Sequence, residues 1–221
     1  MLEHPESAPS TDLSATGAPL ADTGVPAAGA PAARARRGAR RRLTADDWAD
    51  AALAALGERG LAGVAVEPLA ARLGATKGSF YWHFTGRDAL VAAALARWEE
   101  VSTERIIAAM EAAEPDPAGR LAALLRAATA SAAEDPLEVR LLAAGDHPEV
   151  AAVLARVTER RVGYLARLFE QLGFPPAEAR HRGFLSYTSY LGHAQLSHAL
   201  PGAVPLDAAY LAAVTEALLK P

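Results

Sequence analysis

Apolar residues recur every three or four positions along most of this 221-residue chain, and Gly and Pro mark the breaks between the runs. Trp48, Ala51, Ala52, Leu53 and Leu56 form a first stripe, and Val66, Leu69, Ala70 and Leu73 a shorter second one. Phe80 and Phe84 stand four apart. Leu90, Val91, Ala94, Leu95, Trp98, Val101, Ile106 and Met110 then predict a long helix from Thr85 or Gly86 to about Ala113. Past Pro115 and Pro117, the punctuation predicts helices over about 118–133, 137–144, 148–172, 176–199 and 206–219. No stretch alternates at period two for long enough to suggest a sheet. The expected fold class is all-α, with about nine helices.

The stretch from Leu61 to Arg87 carries the most chemistry. Thr44 with Asp47 predicts a capping box opening the first helix, and Trp48 reads as core rather than as a ligand group. Pro68 sits in the first turn of the second helix, where its missing N–H does no harm. Gly74 closes that helix by a left-handed turn, and Thr76 caps a third helix expected over about 76–83. Its first residues, Lys77, Gly78 and Ser79, are cationic or small enough for close approach to a base edge. Phe80 and Phe84 turn inward, so Tyr81, Trp82 and His83 fan towards solvent, which is costly unless they meet a partner. Two short helices joined by a tight turn, the second basic and aromatic, read as a DNA-binding element.

LAARLGATKGSFYWHF, residues 69–84, followed by Arg87, Asp88, Ala89 and Leu90, resembles the recognition region of the TetR family of one-component transcriptional repressors. The likeness extends back through TADDWADAALAALGERG, residues 44–60. It departs at Ala65, where the family usually has a capping Ser or Thr that touches phosphate. The resemblance implies a three-helix DNA-binding domain with a helix-turn-helix over residues 43–88 and a helical effector-binding and dimerisation domain over 89–221. It further implies a homodimer through the last two long helices, a palindromic double-stranded DNA operator, and release by an unknown small-molecule effector. Base readout is expected from Thr76, Lys77, Gly78, Ser79 and Trp82, with Thr44, Tyr81, His83 and Arg87 on phosphates. A DNA-binding dimer without an effector remains the alternative.

The net charge of −4 looks wrong for such a role until it is divided along the chain. Residues 1–33 hold four acids and no Lys or Arg, residues 34–97 eleven basic against six acidic, and residues 98–221 eleven basic against sixteen acidic. A basic module thus sits between acidic flanks, which concentrates phosphate attraction in one place. Residues 1–33 are Ala, Pro, Gly, Ser and Thr with few large apolar groups, and disorder is expected. Residues 34–42, ending in Arg40, Arg41 and Arg42, read either as an arm along the DNA backbone or as a solvated charge run that aids solubility. The chain has no Cys, which excludes disulfides and thiolate metal sites. With no apolar run near the roughly 18 residues of a spanning helix and no basic-then-apolar leader, no membrane association and a cytoplasmic location are expected.

The body is less explicit. Phe184 to Leu200 places Ser186, Tyr190, His193 and Ser197 on one face and Phe184, Tyr187, Leu191, Ala194 and His198 on a neighbouring one. Either a dimer interface, eased by Gly183, Gly192 and Ala194, or a ligand cavity would suit these residues. Trp98, Met110, Arg140, Tyr187, Tyr190 and His193 are the candidate ligand-binding residues. Arg140, Arg160, Arg161 and Arg167, near Glu138, Glu159 and Glu170, read as surface ion pairs, with an anion held by Arg140 as the alternative. No His pair has the spacing that puts two imidazoles on one helical face, so neither metal nor cofactor is expected. Nothing resembles a nucleophile elbow, and catalysis is not expected.

Overall fold

The computed structural model describes residues 42–114, 116–205 and 207–220. Arg40 and Arg41, most of the basic arm and the tail expected to be disordered lie outside the described residues.

Thr44 opens α1 (Ala45–Arg59) with the expected capping box: its Oγ1 accepts the Asp47 amide at 3.2 Å and its own amide donates to Asp47 Oδ2 at 2.7 Å. Gly60, at φ 67°, ends the helix, and a 3-10 turn, Leu61–Gly63, folds back on it. The fit there is tight, since a Cβ on Gly63 would stand 2.6 Å from the Ala55 carbonyl oxygen. The second helix, α2 (Val66–Arg72), starts at Ala65 with no side-chain cap. Gly74 makes the turn at φ 62° and Thr76 caps α3 (Lys77–Tyr81), accepting the Ser79 amide at 3.2 Å. This helix is shorter than the expected 76–83: Trp82 and His83 leave it in a turn that brings Phe84 back onto the core.

The long helix expected next is present but irregular. It consists of α4 (Arg87–Glu99), a π-helical turn (Glu100–Glu104) and α5 (Arg105–Ala113), with no break in the helical backbone between them. Then come α6 (Pro117–Glu134), capped by Asp116, α7 (Leu137–Ala143), α8 (Pro148–Gln171), α9 (Pro176–Ala199) and α10 (Ala208–Leu219), capped by Asp207. With α4, the π turn and α5 counted as one rod, nine helical rods and no strand lie among the described residues.

Two apolar cores hold these rods. The first joins Trp48, Leu56, Leu69 and Phe80 to Leu90, Leu95 and Trp98 of α4, and continues through Leu141 of α7 to Val150 and Val157 of α8. The second unites Ile107, Leu121, Leu165, Phe169, Tyr187 and Leu218. The rod formed by α4 and α5 contributes to both, which makes it the mechanical connection between the helix-turn-helix and the rest. Gly183 and Ala194, expected to ease approach of a second subunit, instead serve packing inside this chain. A Cβ on Gly183 would lie 3.0 Å from the Ala166 amide nitrogen, and Ala194 is buried. Gly192 is exposed, with open space around it.

Candidate functional site

The helix-turn-helix surface is built on Phe80. Its ring is fully buried, meets Trp48 edge-on at 5.4 Å and stacks on Phe84 at 5.5 Å. Fixing that ring inward forces its neighbours outward, so Tyr81 is 55% and Trp82 83% exposed. An indole that bare has given up about the 2 kcal/mol that burial of a large apolar side chain supplies, which marks it as a contact group for another molecule. Lys77 and Gly78 are exposed beside it, and Ser79 and His83 half-buried. The Thr76 and Thr44 hydroxyls each accept a helix-capping amide, and both residues stay exposed. Lys77 Nζ lies 2.7 Å from Glu67 Oε1 on α2, and this hydrogen bond raises the lysine's affinity for its proton. Arg87 does more than face solvent: its Nε donates to the Val64 carbonyl at 2.8 Å and its Nη2 to that of Leu61 at 2.6 Å. It thereby clamps the start of α4 to the turn before α2. Arg42, the one arm residue described, is exposed.

A cavity of about 280 Å³ lies beneath this module, between the rod and α6, α7, α8 and α9. Of the six candidate ligand residues, Trp98, Tyr187 and Tyr190 line it. Met110, Arg140 and His193 do not. Arg140 is exposed on α7, one turn past the lining residue Leu137, and His193 is held between the Ser189 carbonyl and the Tyr210 hydroxyl. Tyr187 and Tyr190, three apart on α9, stack at 6.1 Å, so they lie together in the cavity wall rather than on a free surface.

Arg161 and Glu138, expected in surface ion pairs, are instead buried together in the cavity wall. Arg161 Nη1 meets both carboxylate oxygens, at 2.7 and 2.9 Å, with the two side chains 13% and 8% exposed. Tyr187 donates to Glu138 Oε1 at 3.1 Å and Tyr190 to Oε2 at 2.7 Å. Burial, followed by the nearby carboxylate, holds both tyrosine hydroxyls above the ordinary phenol range, so they remain neutral donors. On its other side Arg161 reaches the π turn: Nε donates to Thr103 Oγ1 at 3.0 Å and Nη2 to the Ser102 carbonyl at 3.1 Å. The Ser102 carbonyl lies in the π turn, where the regular α-helical hydrogen-bond pattern is interrupted. Burial disfavours the charge on Arg161, yet Glu138 outweighs it and the group is held more firmly protonated than usual.

Two further arginines of α8 fasten the same rod. Arg156 pairs with Glu99 at 2.7 Å and Arg160 with Glu104 at 2.8 Å. At the other end Arg97 of α4 meets Asp50 of α1 at 2.8 Å. These pairs tie α8 to the rod, and the rod to α1 of the module that carries Trp82. Sequence reasoning missed Tyr164, Ser102 and Thr103 in the wall. The available signal was the i, i+3 spacing of Arg161 and Tyr164 on one face of α8.

Residues 49–94 match the profile of the family described as bacterial regulatory proteins, tetR family. Solved structures with the same fold include a transcriptional regulator from Rhodococcus sp. Rha1, 22% identical with a TM-score of 0.64 over 80% of this chain and 94% of that one. The fatty acid degradation regulator FadR from Bacillus halodurans is 17% identical, with a TM-score of 0.62 over 79% and 94%. The reduced form of NemR from E. coli is 18% identical, with a TM-score of 0.61 over 79% and 94%. No curated protein matches the chain significantly. Residues 49–94 are thus similar to the tetR family of bacterial regulatory proteins, and the chain shares its fold with these solved structures. No helix among the described residues is long and apolar enough to cross a membrane.

Proposed function

We propose that this tetR-type regulator is a homodimeric repressor of a palindromic operator, released when a small molecule fills the cavity beside the π turn. The observation that carries the reading is the position of that cavity. Its wall includes Trp98 on α4 and Ser102 and Thr103 of the π turn, so an occupant presses on the rod that carries the DNA-binding module. Ligand would favour the DNA-incompetent state only by binding it better, and a coupling of about 1–3 kcal/mol would weaken operator binding about 5- to 150-fold.

The DNA contacts fall to the exposed surface around α3. Thr76, Lys77, Gly78, Ser79 and Trp82 read bases, while Thr44, Tyr81, His83 and Arg87 hold phosphates, and Arg40, Arg41 and Arg42 follow the backbone. Lys77 must leave Glu67 to reach a base, an exchange of one exposed partner for another. Replacing Lys77 by Ala is expected to weaken operator binding about 5- to 150-fold if it reads a base. Equal loss on operator and random DNA, measured by anisotropy of a labelled duplex, would limit it to phosphate.

The second subunit covers a stripe on α9. Phe184, Leu185 and Leu196 are each about half exposed and, with Thr188 and Gly192, lie on one side of that helix, with half-exposed Leu200 at its C-terminal cap. Pairing of two copies through α9 and α10 buries this stripe. Selection from random-sequence duplex DNA is expected to return two inverted half-sites about 10 bp apart, or a multiple. Phe184→Glu with Leu185→Glu is expected to give a folded monomer by light scattering that no longer selects the paired site. A variant that stays dimeric would move the interface elsewhere.

A further inference from the structure

We infer that Glu67 is a second reading residue of the DNA-binding module, which accepts the N4 amino group of a cytosine when Lys77 leaves it for a guanine in the adjacent base pair. The inference rests on the reading of α3 as the helix that enters the major groove. Lys77 is the first residue of α3, and Glu67, in the first turn of α2, holds its Nζ at 2.7 Å through Oε1. The two side chains are 55% and 73% exposed, so the pair lies on the outer surface and not in the packing between the helices. Successive bases stand about 3.4 Å apart along the duplex axis. The two groups therefore need to part only slightly for the ammonium to meet one base pair and the carboxylate the next.

The charge on the folded module makes this exchange of partners selective. Residues 43–97 hold five basic and six acidic side chains. Three of the five cations are paired with acids, Arg72 with Glu58, Lys77 with Glu67 and Arg97 with Asp50, and Arg87 is turned onto backbone carbonyls. A closed Lys77–Glu67 pair has no net charge to offer a phosphate. Opening it strands a carboxylate beside the phosphates, which is costly unless that carboxylate also finds a donor. The donors on the major-groove edges are the N4 amino group of cytosine and the N6 amino group of adenine. Adenine carries its N7 acceptor next to N6, which repels a carboxylate, whereas cytosine has no acceptor of its own on that edge. Lys77, a donor only, fits the N7 and O6 acceptors of guanine. A step that presents both groups satisfies both side chains, and one that presents neither leaves the pair closed.

Selection from random-sequence duplex DNA, carried out with the full chain and with Glu67→Ala, Glu67→Gln and Lys77→Ala, tests this. The parent is expected to return a guanine and a cytosine in adjacent base pairs of each half-site, each preferred about 5- to 150-fold over other bases. Lys77→Ala is expected to lose the guanine preference. Glu67→Ala is expected to lose the cytosine preference and keep the guanine. On random DNA its slope of log K against log salt is expected to steepen by about 0.9 per subunit, because Lys77 becomes free for a phosphate. Glu67→Gln, whose amide accepts from N6 and donates to N7, is expected to change the preferred base at the cytosine position to adenine. Both side chains are exposed, so all three variants are expected to melt as the parent does. A pair that merely braces α2 against α3 would leave every base preference unchanged in Glu67→Ala. That result, or a cytosine preference that survives in Glu67→Gln, would overturn the inference while leaving the reading of α3 in place. A parent that selects no sequence at all would overturn the reading of α3 and the inference with it.

Discussion

Replacing Arg161 by Ala is expected to destabilise the protein by about 3–5 kcal/mol, the loss typical of breaking a buried pair and stranding one charge. Glu138 would keep its two tyrosine donors but lose its counter-charge, and Thr103 and the Ser102 carbonyl would lose theirs at the π turn. The loss should not be read as the net strength of the pair. Taking both charges out of water is itself costly, so the double variant Arg161→Met with Glu138→Leu is expected to be far closer to the parent than the single one. Urea unfolding of the three proteins measures this. A single variant within about 1 kcal/mol of the parent would mean that water reaches the pair and that the cavity is wetter than described.

The second large effect is expected at Phe80. Truncation to Ala removes a fully buried ring that touches Trp48 and Phe84, and the α3 backbone has few other ties to the core. A loss of about 3–5 kcal/mol is expected. Because the ring fixes which side chains of α3 face outward, DNA binding is expected to fall below detection even at temperatures where far-ultraviolet circular dichroism reports a helical protein. Trp82→Ala, by contrast, is expected to leave stability within about 0.5 kcal/mol, since its indole is almost wholly exposed, and to weaken DNA binding alone. Similar unfolding curves for Phe80→Ala and the parent would contradict this account of the module.

The helix-turn-helix was legible in the sequence because its determinants are local. The cap at Thr44 with Asp47, the left-handed Gly74, the cap at Thr76 and the inward pair Phe80 and Phe84 each act within four residues, and the structure contains all of them. The cavity was legible only in part, because its key pair joins two residues 23 apart in sequence on different helices. On a linear sequence Glu138 and Arg161 look like any solvated acid and base, and only tertiary packing buries them. Trp98, Met110, Tyr187 and Tyr190 stand out as large or adaptable groups on the enclosing helices, and all but Met110 lie in the wall; the spacing puts Tyr187 and Tyr190 on neighbouring faces of α9, yet their rings stack. Arg140 was chosen for its charge and faces solvent, because the face of α7 that packs inward is that of Leu137, Glu138 and Leu141. The π turn has no signature in residue preference, since Glu100–Glu104 would continue an ordinary helix. Gly183 was read as room for a partner subunit and proved to be room for α8.

The central claim is that the state of the cavity sets the grip on DNA, and the affinity of Ala128→Trp for a selected duplex tests it most directly. Ala128 lines the cavity from α6, distant in sequence from the DNA-binding module, and an indole placed there stands in for a permanent occupant. With the melting temperature checked to be no lower than that of the parent, operator binding by fluorescence anisotropy is expected to weaken about 5- to 150-fold, with little change on random DNA. A folded Ala128→Trp protein that binds the operator as tightly as the parent would contradict the account.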